Sequence, residues 1–120
     1  MTATDQAAAP LLLREDRDGI ATLTMNRPQA RNALSMGLMT ALLDALDAIR
    51  TDASVRAVVL AGAGPAFCAG HDLKEMRASP SHEAYETVFT TCSRVMMAIT
   101  TLPQPVIARV HGIATAAGCQ

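Results

Sequence analysis

Apolar positions along this chain follow two different spacings, one typical of strands and one typical of helices. Short apolar runs at 11–14 and 20–25 are separated by Arg17-Asp18-Gly19, and Asp-Gly between two such runs favours a hairpin turn. Apolar residues then recur at helical spacing over 39–49 and over 88–102, which predicts two amphipathic helices. Ser35 stands directly before the first of these helices and is expected to cap it.

Two further apolar runs follow the helices, and each leads into a turn of small residues. The run 57–61 is uninterrupted, which predicts a strand buried on both faces, and 106–110 predicts another strand. A short helix is expected over 71–76. Strands that alternate with helices in this way indicate the α/β class with mostly parallel strand pairing.

The first ten residues differ in composition from the rest. They are rich in Ala and Thr and contain neither Lys nor Arg, so we expect a disordered lead-in at 1–10 and one domain at 11–120. This segment matches neither a signal peptide nor a transit peptide. The three cysteines, Cys68, Cys92 and Cys119, match no metal-ligand spacing and fit a reducing compartment. We therefore expect a cytoplasmic protein without a metal site.

Charge and aromatic content exclude two classes of function. The net charge is −1, and the chain has no Trp, one Tyr and two Phe, so a basic surface or a stacking platform for nucleic acid is not expected. A membrane helix needs roughly 20 consecutive apolar residues, and charges or prolines interrupt every apolar stretch before that length. The sequence thus predicts no nucleic-acid partner and no membrane span.

The turns at 67–73 and 112–118 are the first candidates for chemistry. Each follows a predicted strand and opens a helix, where backbone N–H groups are exposed and the helix dipole favours negative charge. Small residues there let a ligand approach the backbone closely. Two such turns facing each other would form an anion site, although on these grounds alone a purely structural turn is the commoner interpretation.

Three segments, taken together and in this order, resemble the crotonase (enoyl-CoA hydratase/isomerase) family. They are Asn-Arg-Pro-Gln-Ala-Arg-Asn-Ala-Leu-Ser at 26–35, the stretch 55–76 with Phe-Cys-Ala-Gly-His-Asp-Leu-Lys-Glu-Met, and Pro-Val-Ile-Ala through Gly-Ile-Ala-Thr-Ala-Ala-Gly-Cys at 105–119. The resemblance runs from about Leu11 to Gln120. It implies the α/β crotonase (ClpP/crotonase) fold, a spiral of β-β-α units, of which this chain would be a truncated N-terminal part only. It also implies assembly of the full-length protein as a trimer or hexamer.

The resemblance carries over a set of site residues. It implies that the backbone N–H groups of His71 and Ala117 form an oxyanion hole for the thioester oxygen of an acyl-CoA. The stretch His71, Asp72, Leu73 and Lys74 would contact the adenine and pantetheine end of the CoA. Ala117 stands where the family usually has glycine, which keeps the donor if its backbone conformation suits a side chain. No cofactor is expected, because the substrate is carried as the CoA thioester.

Gln120 departs from the family pattern. Hydratases of this family have a catalytic glutamate at that position, and a carboxamide can orient water but cannot exchange a proton near neutral pH. The combination of motifs is most similar to the branch of enoyl-CoA hydratase domain-containing proteins. The leading function is therefore an acyl-CoA-binding hydratase or isomerase. A non-catalytic acyl-CoA-binding or regulatory protein and an inactive fragment remain alternatives, so whether the chain is an enzyme stays open.

Five side chains keep two interpretations each. His71 could be a general base, although a role for its backbone N–H alone is favoured, and Asp72 is favoured as a helix N-cap over a base. Arg27 and Lys74 could each meet a CoA phosphate or simply be solvated, and the two interpretations are even. Glu75 is expected to be solvated.

Overall fold

The computed structural model describes residues 9–120. Four strands and three helices are β1 (Leu12–Arg17), β2 (Ile20–Met25), α1 (Met36–Arg50), β3 (Ala57–Gly62), α2 (Leu73–Ala78), α3 (His82–Thr101) and β4 (Val106–Ala108). Two short 3-10 turns lie at Pro28–Ala30 and Ala116–Gly118. Each predicted element is present. β1 extends three residues beyond the predicted run, and β4 ends two residues before it.

One sheet with the order β1-β2-β3-β4 forms the framework. β1 and β2 pair antiparallel through the predicted hairpin, whose turn residues Asp18 and Gly19 have φ of 54° and 81°. β2 and β3 pair in parallel, and so do β3 and β4. The parallel pairs require the crossovers that α1 and the α2–α3 segment supply, which confirms the α/β class and the predicted pairing.

Helices α1 and α3 pack on one face of this sheet and bury most of the core. The α1 stripe was predicted from its spacing, and its buried members are Leu38, Met39, Leu42, Leu46 and Ile49. From α3 the buried residues are Val88, Thr91, Cys92 and Val95. They meet Ala21, Leu23 and Met25 of β2 and Val58 of β3, all of which are almost completely buried. The periodicity of the sequence thus located the helix faces that form the core, although Leu43, Met96 and Ile99 on the same stripes are only partly buried.

The expectation that β3 is buried on both faces was wrong. Val58 and Ala61 are buried, but Val59 and Leu60 are only half-buried. Val59 pairs with Ile107 of β4 on the sheet face opposite the helices, and Ile107 is 56% exposed. Ala61, on the same face as Val59, is only 2% exposed, so residues 9–120 cover this face unevenly and the apolar run is only partly buried.

The predicted lead-in at 1–10 lies outside the described residues except for its last two. Ala9 and Pro10 are exposed, and the carbonyl oxygen of Pro10 accepts a hydrogen bond from the Asn26 side chain at 3.0 Å. No helix among residues 9–120 is long and apolar enough to cross a membrane.

Candidate functional site

Gly70 is the point at which the two small-residue turns touch. It lies between β3 and α2 with a φ of +97°, a conformation that residues with a side chain rarely adopt. A Cβ atom at Gly70 would stand 3.1 Å from Cβ of Ala116 and 3.5 Å from the backbone nitrogen of Ala117. The turns at 67–73 and 112–118 therefore face each other, as the sequence predicted for an anion site.

The second turn is held against the first by short parallel pairing. The N–H of Cys68 donates to the carbonyl oxygen of Ile113 at 3.1 Å, and the N–H of Thr115 donates to the carbonyl oxygen of Cys68 at 3.1 Å. A Cβ atom at Gly118 would overlap that same Cys68 carbonyl group. Small residues at 112–118 thus serve a close approach between two backbone segments.

Both backbone donors assigned by the family resemblance are unpaired. Leu34 donates its N–H to the carbonyl oxygen of Gly70 at 2.7 Å, and accepts from the N–H of Asp72 at 3.3 Å. The N–H of His71 lies between these two bonds and points away from Leu34, as the alternation of a parallel bridge requires. Within residues 9–120, neither His71 nor Ala117 donates its N–H to an acceptor. Two free donors therefore lie on turns that touch.

Strain in the second turn falls on Ala116 rather than on Ala117. Ala116 has a φ of 51°, in the left-handed region, whereas Ala117 is not among the residues with positive φ. The condition set for an alanine at position 117 is therefore met. The left-handed alanine beside it was not foreseen, because small residues in a turn do not reveal which of them takes the strained conformation.

The imidazole of His71 is partly buried beside α3. Its ring meets Phe89 edge-on at a centroid distance of 5.3 Å, and its Nδ1 atom is buried without a hydrogen-bond partner among the described residues. Burial lowers the pKa of His71 below its usual value, so the ring is neutral at pH 7. A neutral imidazole can accept a proton, and the general-base alternative stays open.

His71 and Gln120 line one groove, of about 330 Å³. Its other lining residues come from α3 and are Phe89, Cys92, Ser93, Met96 and Met97. Gln120 also borders a larger groove of about 390 Å³, which Ala117, Cys68 and Leu60 line together with other mostly apolar residues. In residues 9–120 no Asp or Glu lines either groove. This part of the site offers hydrogen-bond donors, an apolar wall and a carboxamide.

Asp72 is the N-cap of α2, which confirms the favoured interpretation. Its Oδ1 accepts from the N–H of Glu75 at 3.0 Å, and its Oδ2 accepts from the guanidinium of Arg27 at 3.0 Å. Desolvation acts to raise the pKa of Asp72, but the backbone hydrogen bond from Glu75 and the hydrogen bond from Arg27 outweigh it. The pKa lies below its usual value. The carboxylate is therefore ionised at neutral pH, and each of its two oxygens accepts a hydrogen bond.

The other residues predicted to contact CoA differ in their exposure to solvent. Arg27 is largely buried and paired, with a second hydrogen bond from its guanidinium to the carbonyl oxygen of Ala33 at 2.6 Å. Leu73 and Lys74 are exposed at the start of α2. Leu73 and Lys74 are thus open to a ligand, while the contacts of Arg27 favour a role in holding the loop.

The sequence did not predict the roles of two side chains, which form hydrogen bonds that hold the segments around the site together. Asn32 is completely buried and donates its amide to the carbonyl oxygens of Ala63, Ala66 and Phe67 at 2.9, 3.1 and 3.1 Å. Glu75 was expected to be solvated, which was wrong: its carboxylate accepts from the N–H of Met36 at 2.9 Å, at the start of α1. Only the tertiary fold brings these acceptors and donors within reach.

A metal site is not evident in the part of the chain that the structure describes. Among residues 9–120, no three His, Cys, Asp or Glu side chains come close enough together to hold an ion.

Comparison with known proteins identifies the family. Residues 15–120 match the model of the family described as "Enoyl-CoA hydratase/isomerase". The chain belongs to the enoyl-CoA hydratase/isomerase, or crotonase, family. The crotonase fold predicted from the three motifs is confirmed, and the chain corresponds to its N-terminal part.

Several relatives of this crotonase chain carry the name of one branch. The human "Enoyl-CoA hydratase domain-containing protein 3, mitochondrial" is 43% identical over 105 residues, covering 86% of this chain and 34% of the relative. "Enoyl-CoA hydratase EchA19" of Mycobacterium tuberculosis is 37% identical over 115 residues, covering 94% of this chain and 43% of the relative. The predicted resemblance to the domain-containing branch is confirmed. The chain spans less than half the length of these relatives.

Solved structures agree with this assignment. An enoyl-CoA hydratase from Mycobacterium smegmatis superimposes with a TM-score of 0.90 at 64% identity, over 92% of this chain and 44% of that one. The human enoyl-CoA hydratase domain-containing protein 3 superimposes with a TM-score of 0.86 at 37% identity, over 91% and 43%. These comparisons do not favour the alternative of a non-catalytic binding protein.

The expectation of a cytoplasmic location is contradicted. Domain-containing relatives from zebrafish, frog, rat and human are all named mitochondrial. The prediction used free cysteines, which indicate a reducing environment without saying which compartment supplies it. It also used the amino-acid composition of residues 1–10, and that composition did not indicate the compartment.

Proposed function

We propose that this crotonase chain binds the thioester end of an acyl-CoA, with the backbone N–H groups of His71 and Ala117 as its oxyanion hole. The whole protein would then act as an enoyl-CoA hydratase or isomerase. The observation that carries the proposal is a pair of donors without an acceptor among residues 9–120, on two turns that touch at Gly70. Family membership supports the same assignment for these two positions.

The chemical role of the two donors is to stabilise negative charge on the thioester oxygen. Addition of water to the β-carbon of a 2-enoyl thioester, or removal of an α-proton, drives electron density onto that oxygen and produces an enolate. Donors that already point at the oxygen need no reorganisation, and removing one such donor typically lowers the rate by ~10² to 10³. This chemistry needs no cofactor beyond the CoA that carries the substrate.

Each part of the ligand has a matching surface near the hole. The apolar groove beside Ala117, with Cys68 and Leu60 on its wall, suits an acyl chain. Exposed Leu73 and Lys74 suit the pantetheine and adenine end of the CoA. Arg27 is given no phosphate contact in this proposal, because its guanidinium is already paired with Asp72.

Gln120 limits the part of the reaction that this chain performs. It borders both grooves, so its carboxamide is placed to orient water or the acyl group by hydrogen bonds. A carboxamide does not exchange protons near neutral pH, so the proton transfer requires a different, titratable group. We therefore assign binding and enolate stabilisation to these residues. Family membership supports the further proposal that the whole protein assembles as a trimer or hexamer.

The test compares a short 2-enoyl-CoA with an S-alkyl-CoA thioether that lacks the carbonyl oxygen. Calorimetry gives both affinities, and loss of the conjugated thioester absorbance gives turnover in the same samples. Hydrogen bonds to a polarised oxygen are worth about 1.5 kcal/mol, so the thioester should bind roughly tenfold more tightly. Equal affinity for the two ligands would contradict the proposed hole.

A pair of variants at Ala117 isolates the backbone donor. Ala117→Pro removes one of the two N–H donors and should reduce the preference for the thioester, while Ala117→Gly keeps the N–H and should retain it in full. Binding of the thioether measures whether each variant still has a folded CoA site. If the proline variant kept the full thioester preference, Ala117 would not be a donor to the ligand.

A further inference from the structure

We propose that the ion pair between Arg27 and Asp72 is a positioning pair, which sets the direction of the His71 N–H. The inference rests on the proposed function of that N–H as a donor to the thioester oxygen. It assigns to Arg27 a role different from contact with a CoA phosphate. The pair joins residues 45 positions apart in the chain, and Asp72 directly follows His71.

The guanidinium of Arg27 links the two backbone segments that flank the His71 donor. Its Nη1 donates to the carbonyl oxygen of Ala33 at 2.6 Å, and its Nη2 donates to Oδ2 of Asp72 at 3.0 Å. Ala33 immediately precedes Leu34, whose N–H and carbonyl oxygen bond to Gly70 and Asp72. These contacts close a ring around the peptide that carries the His71 N–H.

Geometry makes this ring specific for an arginine and a carboxylate. The planar fork of a guanidinium can serve two acceptors at once, whereas an ammonium offers a single point charge. Asp72 likewise uses its two oxygens for different partners, Oδ1 for the α2 cap and Oδ2 for Arg27. Exchanging either residue for a close relative therefore breaks the bridge while keeping most of the surroundings.

Burial and anchoring make the pair stiff enough to orient a peptide. The side chains of Arg27 and Asp72 are 17% and 13% exposed, so solvent screens the interaction much less than at the surface. The backbone N–H of Arg27 is itself held by Oδ1 of Asn32 at 2.8 Å, and Asn32 also bonds to the carbonyl oxygen of Phe67. The backbone of Arg27 is therefore held in place by Asn32.

Two variants and one control test the pair without ligand. Asp72→Asn keeps an oxygen for the α2 cap and loses the charge, and Arg27→Lys keeps the charge and loses the fork. Asp16→Asn is the control, because Asp16 forms an exposed ion pair with Arg14. The readout is hydrogen exchange at the Leu34 amide, which bonds to Gly70 at 2.7 Å, against the Ala63 amide, which bonds to Met25 at 2.8 Å.

The expected result is faster exchange that is confined to the ring. Loss of a charge-assisted hydrogen bond should speed exchange at Leu34 about tenfold in both variants, while Ala63 and the control stay at wild-type rates. Unchanged exchange at Leu34 in both variants would overturn the positioning pair, whatever the ligand measurements show.

A ligand measurement separates positioning of the donor from general support and from phosphate contact. Both variants should lose most of the preference for the 2-enoyl-CoA over the thioether, about tenfold, with thioether affinity unchanged. An equal loss of affinity for both ligands would instead assign Arg27 to the CoA moiety and overturn the inference. If the wild-type chain showed no thioester preference, the proposed function itself would fail. An intact preference with unchanged exchange would overturn the ion pair alone.

Discussion

Gly70 and Ala116 stand on opposite sides of the contact between the two turns, and both have left-handed backbone conformations. Gly70 has a φ of +97°, and Ala116 has a φ of 51°. Gly70 has no side chain at this contact, whereas Ala116 keeps its Cβ atom there in spite of its left-handed conformation. The spacing of the turns therefore depends on which of the two positions carries a Cβ atom.

Gly70→Ala should destabilise the fold by roughly 2 kcal/mol or more, because left-handed strain adds to a contact of 3.1 Å with Cβ of Ala116. Ala116→Gly should change stability by less than about 1 kcal/mol, since relief of strain offsets the added freedom of the unfolded chain. Urea unfolding measures both, and the double variant should recover part of the Gly70→Ala loss. Equal effects of the two single variants would show that the contact is not tight.

Several residue roles were predictable because they depend on short-range chemistry. Asp72 as the N-cap of α2 and Ser35 as the N-cap of α1 follow from oxygen-bearing side chains placed just before helical runs, and both are confirmed. The pairing of Arg27 with Asp72 and the hydrogen bond of Glu75 to the start of α1 were not predictable. Each joins residues 39 or 45 positions apart, whose meeting no local pattern encodes.

Helix α1 is an element whose start depends on two caps of different kinds. Ser35 accepts from the N–H of Leu38 at 3.1 Å through its own side chain. The N–H of Met36 is satisfied from another helix, by Glu75. α3 begins with a comparable serine, Ser81, which accepts from the N–H of Ala84 at 3.0 Å but lies in solvent.

Ser35→Ala should cost more than Ser81→Ala, which is its matched control. Removing either cap typically costs about 1 kcal/mol, but water can replace the exposed oxygen of Ser81 and cannot easily reach the buried Leu38 N–H. We expect a loss of about 2 kcal/mol for Ser35→Ala and about 1 kcal/mol or less for Ser81→Ala. Thermal and urea unfolding measure the difference. A larger effect at Ser81 would contradict this account of α1.

For the helices and strands, the periodicity of the sequence predicted where each element lies better than it predicted which faces are buried. The helices and strands follow from spacing and turn chemistry, and each was located within a few residues. The burial of β3 was predicted wrongly. An apolar run shows that both faces of a strand can be buried, but it does not show which face is covered in the fold. Coverage depends on neighbouring layers of the fold.

Two titratable groups at the candidate site, His71 and Asp72, contribute to the pH dependence of the stability of the whole molecule. Burial lowers the pKa of His71, so the folded state holds fewer protons there than the unfolded state in the range just below the usual histidine value of 6.5. The pKa of Asp72 is also lowered, with its window below the usual 3.8. For both groups, the contribution to stability is present in full above the pKa of the unfolded state. It is lost as the pH falls towards the lower pKa of the folded state.

The free energy of unfolding should therefore decrease between about pH 7 and pH 5 in the wild-type chain, mainly through His71. His71→Gln removes this group and should flatten the profile. Urea titrations at a series of pH values measure the slopes. An unchanged slope in His71→Gln would mean that the imidazole is not held in its neutral form by burial.

The sequence by itself determined the class, the order of elements, the hairpin, the helix caps and the family. These depend on local spacing and on motifs whose residues are close together in the chain. Only the tertiary structure decided that the turns at Gly70 and Ala117 touch, that the His71 N–H has no acceptor within residues 9–120, and that Arg27 is turned inward to Asp72. The physical reason is that hydrogen-bond partners and burial belong to pairs of distant segments, and a sequence pattern records each segment separately.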